Sequence, residues 1–149
     1  MKIVLDARWV FPQLSGIGHY TTELLRAYAR MDRSHDWIVL CDHPAVETRL
    51  AQIPEVAAHP HMRIERLSAG PFAWRGQISI PLWLQRVAAD VYHAPNYMLP
   101  FLAFPRWHRG RTSCVVTVHD LIPLQFPDHA PRARKSRFRF FFPRPITGN

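Results

Sequence analysis

The chain has 149 residues, 48% hydrophobic and 12% aromatic, which suits one globular domain with a sizeable core and argues against disorder over most of its length. No apolar run approaches the ~18 residues of a membrane span, and Ile3, Val4 and Leu5 are followed at once by Asp6 and Arg8, which does not read as a secretory leader, so the cytoplasm is the expected compartment. The net charge of +8 is unevenly placed: all 11 acidic residues precede the block Arg132, Arg134, Lys135, Arg137, Arg139 and Arg144. A block at one end points to a local anionic contact, such as the inner face of the plasma membrane, or to a solvated face, and no specific nucleic-acid partner is expected.

In chain order, Lys2–Ala7 is an apolar run suited to a first buried strand. An irregular stretch, Arg8–Ser15, leads to Gly16-Ile17-Gly18. From there Ile17, Tyr20, Leu24, Tyr28 and Met31 recur at helical spacing, predicting a helix of about four turns. A polar turn over Asp32–Asp36 leads to a strand at Trp37–Cys41. A short helix around Val46–Gln52, a strand at Arg63–Leu67 and a helix at Trp74–Val87 follow, the last kinked or begun by Pro81. Asp90–His93 is a brief strand running into Ala94-Pro95-Asn96, and a loop rich in proline and aromatics, Tyr97–Gly110, leads on. Strands alternating with helices imply a parallel α/β sheet built from right-handed crossovers.

The stretch Cys114–Val118 is β-branched or small and mostly apolar, without alternation, and is expected to be a central strand buried on both faces. His119 and Asp120 stand where it should end, and ligands of parallel α/β sheets sit beyond the carboxyl ends of the strands. Cys41 and Cys114 lie in strand-like runs without a C-x-x-C pattern or a Cys/His cluster, so buried reduced thiols are expected and no metal. His19, His59, His61 and His108 read as solvated. Gly16-x-Gly18 does not complete a dinucleotide fingerprint: Thr21 occupies the third glycine position, and too many residues separate strand from glycine. A glycine-opened helix start still lets backbone N–H groups approach a phosphate or a hydroxyl-rich partner. Each candidate has a purely structural reading too, as a turn, a cap or a hydrogen-bonded core histidine.

Asp6-Ala7-Arg8, Ser15-Gly16-Ile17-Gly18-His19-Tyr20-Thr21-Thr22-Glu23-Leu24-Leu25, His93-Ala94-Pro95-Asn96 and Val116-Thr117-Val118-His119-Asp120-Leu121-Ile122-Pro123-Leu124 together resemble the N-terminal half of bacterial glycosyltransferases of the two-Rossmann-domain (GT-B) type. The nearer resemblance is to the retaining group 1, or family 4, enzymes that include mannosyltransferases of surface-polysaccharide assembly. It implies an α/β, Rossmann-like parallel sheet flanked by helices. It also implies transfer of a sugar, with retention, from a nucleotide-sugar co-substrate to a glycan or lipid-linked acceptor, without a bound metal or other cofactor. By position, Gly16, Ile17 and Gly18 would line the cleft beside donor phosphate and acceptor. His119 would face the transferred sugar, with Asp120 orienting it, and His93 and Asn96 would be further cleft-lining candidates. The imidazole at 119 and the amides near Ile17 are then expected to converge on one rim of one sheet.

Residues 1–130 would form the acceptor-side domain and residues 131–149 a basic, aromatic tail. An opening helix is expected over Arg132–Phe142, and no donor-binding domain follows, so a truncated chain that is inactive alone is expected. A non-catalytic module that holds an acceptor or a membrane face is the alternative.

Overall fold

The computed structural model describes residues 1–13, 15–71, 73–100, 103–104 and 112–120. The helix expected over Arg132–Phe142, everything from Leu121 onward, His108 and part of the loop after Asn96 lie outside them. The chain forms two compact units, Met1–Val116 and Thr117–Asn149. In the first, five strands pair in the order β3-β2-β1-β4-β5, and every pairing is parallel. They are β1 (Lys2–Asp6), β2 (Asp36–Cys41), β3 (Met62–Arg66), β4 (Val91–Ala94) and β5 (Ser113–Val116). The helices are α1 (Gly16–Met31), α2 (Pro44–Ala51), α3 (Pro54–Ala57) and α4 (Gly76–Val87), with a 3₁₀ turn at Ala7–Trp9. This is the expected Rossmann-like sheet flanked by helices.

Side chains alternate between the two faces of a strand. Leu5, Val39 and Cys41 share a buried cluster with Leu25 and Ala29 of α1 and Val46 and Leu50 of α2. Val4, Ile38 and Leu40 point to the opposite face, each fully buried, and burial of each such side chain is worth about 1.5–3 kcal/mol. Helix α4 is tied to that side: Trp83 Nε1 donates to Glu65 Oε2 at 3.1 Å and Lys2 Nζ to the Val87 carbonyl at 2.7 Å. Pro81 lies inside α4. Ala88 ends the helix with φ 52°, a left-handed conformation usually given to glycine, and turns the chain toward β4.

Two expectations are corrected. The central strand is β1, hydrogen-bonded to β2 on one side and β4 on the other. Among the described residues β5 pairs only with β4, and Ser113 and Val115 on one of its faces are exposed. An unbroken apolar run shows that a strand tolerates burial, and the pairing partners decide whether it receives it. His59 is 5% exposed rather than solvated. Its Nδ1 accepts the His61 N–H, so its Nε2 carries the proton and donates to the Asp32 carbonyl. Thr21, at the third glycine position, is fully buried, its hydroxyl turned back onto the Ile17 carbonyl at 2.7 Å. Both cysteines are free, Cys41 buried and Cys114 half-buried. Burial pushes their thiols up to about 11 and about 12 respectively.

One buried polar cluster fixes the carboxyl end of β1. Asp6 and Arg8 are 0% and 2% exposed. Arg8 Nε donates to Asp6 Oδ1 at 2.8 Å and Nη2 to Oδ2 at 2.7 Å. Nη1 reaches the Ala69 carbonyl after β3 at 2.8 Å, and Nη2 reaches the Tyr92 hydroxyl in β4 at 3.3 Å. Tyr92 Oη in turn donates to Asp6 Oδ2 at 2.5 Å. Removing one partner of a buried ion pair leaves the other charge uncompensated, at a cost of about 3–5 kcal/mol, whereas replacing both by apolar groups can be nearly neutral. Arg8→Met is therefore expected to lower the urea midpoint of unfolding strongly, and Asp6→Leu combined with Arg8→Met to recover much of that loss. A midpoint unmoved by Arg8→Met would contradict this role.

Candidate functional site

The strand order reverses between β1 and β4. The chain runs outward from β1 to β3, then crosses back past β1 to β4. In open parallel sheets the crevice beyond the carboxyl ends of the strands at such a point is where ligands bind. Here that rim carries Asp6–Ser15 after β1, the first turn of α1, and Pro95–Asn96 after β4.

The segment between β1 and α1 is held at several points. Asp6 accepts the Arg8 N–H and caps the 3₁₀ turn. Arg49 of α2 donates to the Phe11 and Pro12 carbonyls at 2.6 and 3.0 Å. Ser15 caps α1, its hydroxyl oxygen accepting the Gly18 N–H at 3.2 Å. The N–H groups of Gly16 and Ile17 then have no acceptor within the helix, and they sit at its positive end. Gly16 is exposed, and a Cβ built on it meets nothing within 4 Å. Gly18 is buried, and a Cβ there would lie 3.2 Å from the Trp9 carbonyl oxygen. The two glycines thus differ: Gly18 permits close packing of α1 on the turn before it, and Gly16 leaves open space at the helix start.

The remaining candidates are placed as follows. His93 is 8% exposed, with Nδ1 3.1 Å from the Tyr28 hydroxyl of α1. It shares the helix-covered face of the sheet with Leu5, its register partner. Burial holds its pKa below the ordinary value of 6.5, so it is a neutral imidazole packed beneath α1. Asn96 is 4% exposed, and its Oδ1 is buried without a hydrogen-bond partner. His119 and Asp120 follow β5 in the second unit, both exposed.

The Asp6–Arg8–Tyr92 cluster was not assigned a role from the sequence. The available signal was a carboxylate and a guanidinium two residues apart where a buried strand ends. Burial alone would pull the Arg8 guanidinium down, but the Asp6 carboxylate and the Tyr92 hydroxyl outweigh it, so Arg8 is held above its ordinary value. Burial, then the Asp6 charge, raises Tyr92 well above its ordinary value. Arg8 therefore stays charged and Tyr92 neutral, and their closed set of hydrogen bonds with Asp6 serves as a clamp.

A cavity of 460 Å³ lies at the opposite, amino end of the strands, lined by Lys2, Arg63, Glu65, Trp83, Arg86 and Val87. Its charges are largely engaged, Glu65 holding both Arg63 and Trp83. Among the described residues no group of three His, Cys, Asp or Glu side chains is arranged to hold a metal ion. No described helix is long and apolar enough to cross a membrane.

Two outcomes are expected. Gly16→Ala should melt at or above the wild-type temperature, since it gains up to about 1 kcal/mol of helix propensity with no clash, while Gly18→Ala should melt lower; calorimetry giving the reverse order would refute this account of α1. Because His93 binds its proton more weakly when folded, the unfolded state takes up more protons below about pH 6.5. Stability should fall as pH is lowered from 7.5 to 5.5, and His93→Gln should flatten that slope; parallel wild-type and variant curves would count against it.

The family model for Glycosyltransferase Family 4 matches residues 14–146, nearly the whole chain. Comparison with curated proteins and with solved structures gives no match. The matched residues include the first turn of α1, the end of β4 and the stretch through His119, on a sheet of the kind the N-terminal half of a GT-B glycosyltransferase has. The chain belongs to Glycosyltransferase Family 4.

Proposed function

We propose that this protein supplies the acceptor side of a retaining glycosyltransferase, which moves a sugar from a nucleotide-sugar donor to a hydroxyl of a glycan or lipid-linked acceptor. The observation that carries the reading is the start of α1 at the switch-point rim. There Ser15 satisfies the Gly18 N–H, the Gly16 and Ile17 N–H groups remain for a ligand, and open space surrounds Gly16. A departing nucleoside diphosphate accumulates negative charge, and fixed backbone donors at a helix start stabilise such charge where it develops. In this reading His119 hydrogen-bonds a hydroxyl of the transferred sugar and Asp120 orients its imidazole. Asn96 lines the cleft beyond β4. His93 acts from beneath, keeping β4 against α1 through Tyr28.

The reading assigns the acceptor side to this chain, so saccharide binding is expected of it. Saturation-transfer NMR should show oligosaccharide acceptors in contact with it. Failure of every saccharide to bind would remove the acceptor-side assignment. A transfer product of inverted anomeric configuration would refute retention.

A further inference from the structure

The fold satisfies most of the polar groups it buries at this end of the sheet. Asp6 and Arg8 satisfy one another, Thr21 bonds back to Ile17, and Gln77 Nε2 reaches the Leu99 carbonyl, at the long distance of 3.5 Å. Asn96 is different. Its side chain is more than nine-tenths buried, yet Oδ1 has no hydrogen-bond partner. Arg26 Nε and Glu55 Oε2 also lack hydrogen bonds, but both residues belong to ion pairs. Ser79 Oγ lies within helix α4. Asn96 stands on a loop just past the end of β4, beside the central strand, at the rim where the strand order reverses.

An amide carbonyl buried without a partner costs about 1–3 kcal/mol, and native folds retain few such groups. A leucine or alanine here would spare the free protein that cost. The loop is also anchored, with Tyr97, Met98 and Leu99 buried beyond it, so the orphaned oxygen belongs to a fixed side chain.

We propose that Asn96 reads a sugar hydroxyl, its Oδ1 accepting the O–H of a saccharide that enters the crevice between the ends of β1 and β4. The inference rests on the sugar-transfer reading and adds to it a specific contact and its thermodynamic signature. The hydroxyl belongs either to the acceptor or to the sugar being transferred, and the chemistry is the same for both. A site that holds a buried acceptor for a hydroxyl discriminates against an analogue without it, because the oxygen is then left unpaired again.

The test compares wild type with Asn96→Leu and Asn96→Ala in two measurements. Thermal unfolding is recorded without ligand, and affinity is measured by titration NMR for methyl glycosides, for nucleotide sugars and for the nucleoside diphosphates alone. At least one variant is expected to melt at or above wild type, with saccharide affinity down by about tenfold and nucleoside diphosphate affinity unchanged. Loss confined to methyl glycosides assigns the hydroxyl to the acceptor, and loss confined to nucleotide sugars assigns it to the transferred sugar. If both variants melt well below wild type, Asn96 is structural and the proposal is overturned. Saccharide binding equal in variants and wild type overturns it while leaving the sugar-transfer reading intact. A wild type that binds no saccharide overturns both.

Discussion

The carboxylate of Asp6, closed by the guanidinium of Arg8, is the interaction on which the rest of the site depends. β1 is the middle strand of the five, so its end is surrounded by protein, and a charge placed there must be met by protein. Arg8 meets it with a planar fork, and the same guanidinium reaches the Ala69 carbonyl and the Tyr92 hydroxyl. Three segments distant in sequence are thereby brought to one point: the exit of β1, the loop after β3 and the strand on the far side of the topological reversal. Phe104 stacks on the Tyr92 ring with centroids 5.4 Å apart, adding apolar cover to the cluster. Gly76, at the start of α4, would place a Cβ 3.5 Å from Arg8 Nη1, so that helix begins in van der Waals reach of the clamp.

From that fixed point the chain reaches α1 with little freedom left. The 3₁₀ turn is capped by Asp6 itself, Arg49 grips the Phe11 and Pro12 carbonyls, and Gly18 lets the helix approach the Trp9 carbonyl closely. Backbone N–H groups can serve as a pre-organised electrostatic device only if they are held in place before a ligand arrives. The clamp and its dependants meet that requirement for the start of α1.

Much of this architecture was legible in the sequence because its signals are local. Apolar runs marked β1 and β2, the Ile17–Met31 periodicity marked α1, and Gly16-Ile17-Gly18 marked a helix start. What escaped was either too short or not local. α3 spans only Pro54–Ala57, less than the length at which a helical period can be recognised. β5 read as central because Cys114–Val118 is mostly apolar without alternation, yet Val115 is 48% exposed; order within a sheet follows from which strands pair, which no single run encodes. The Arg8–Tyr92 contact joins residues 84 positions apart, and His59 is buried through a bond to Asp32, 27 positions away. For the candidate site, the glycines and His93-Ala94-Pro95-Asn96 could be picked out as residue types at a rim. That His93 would turn under α1 while Asn96 would be buried with an unused oxygen depends on tertiary packing alone.

The two kinds of buried polar group at this rim argue for a division of labour. Asp6, Arg8 and Tyr92 bond to one another in a closed set, which rigidifies the sheet and leaves nothing for a ligand. Asn96 is placed at the neighbouring strand's exit with its Oδ1 buried and unpaired, which lowers stability in the free protein. Folding alone gives no reason to keep such a group, whereas a site that must recognise a polar ligand does. A crevice whose walls are clamped by satisfied charges and whose lining retains an unsatisfied neutral acceptor is suited to a ligand rich in hydroxyls. That property agrees with the sugar-transfer reading on which the Asn96 proposal rests.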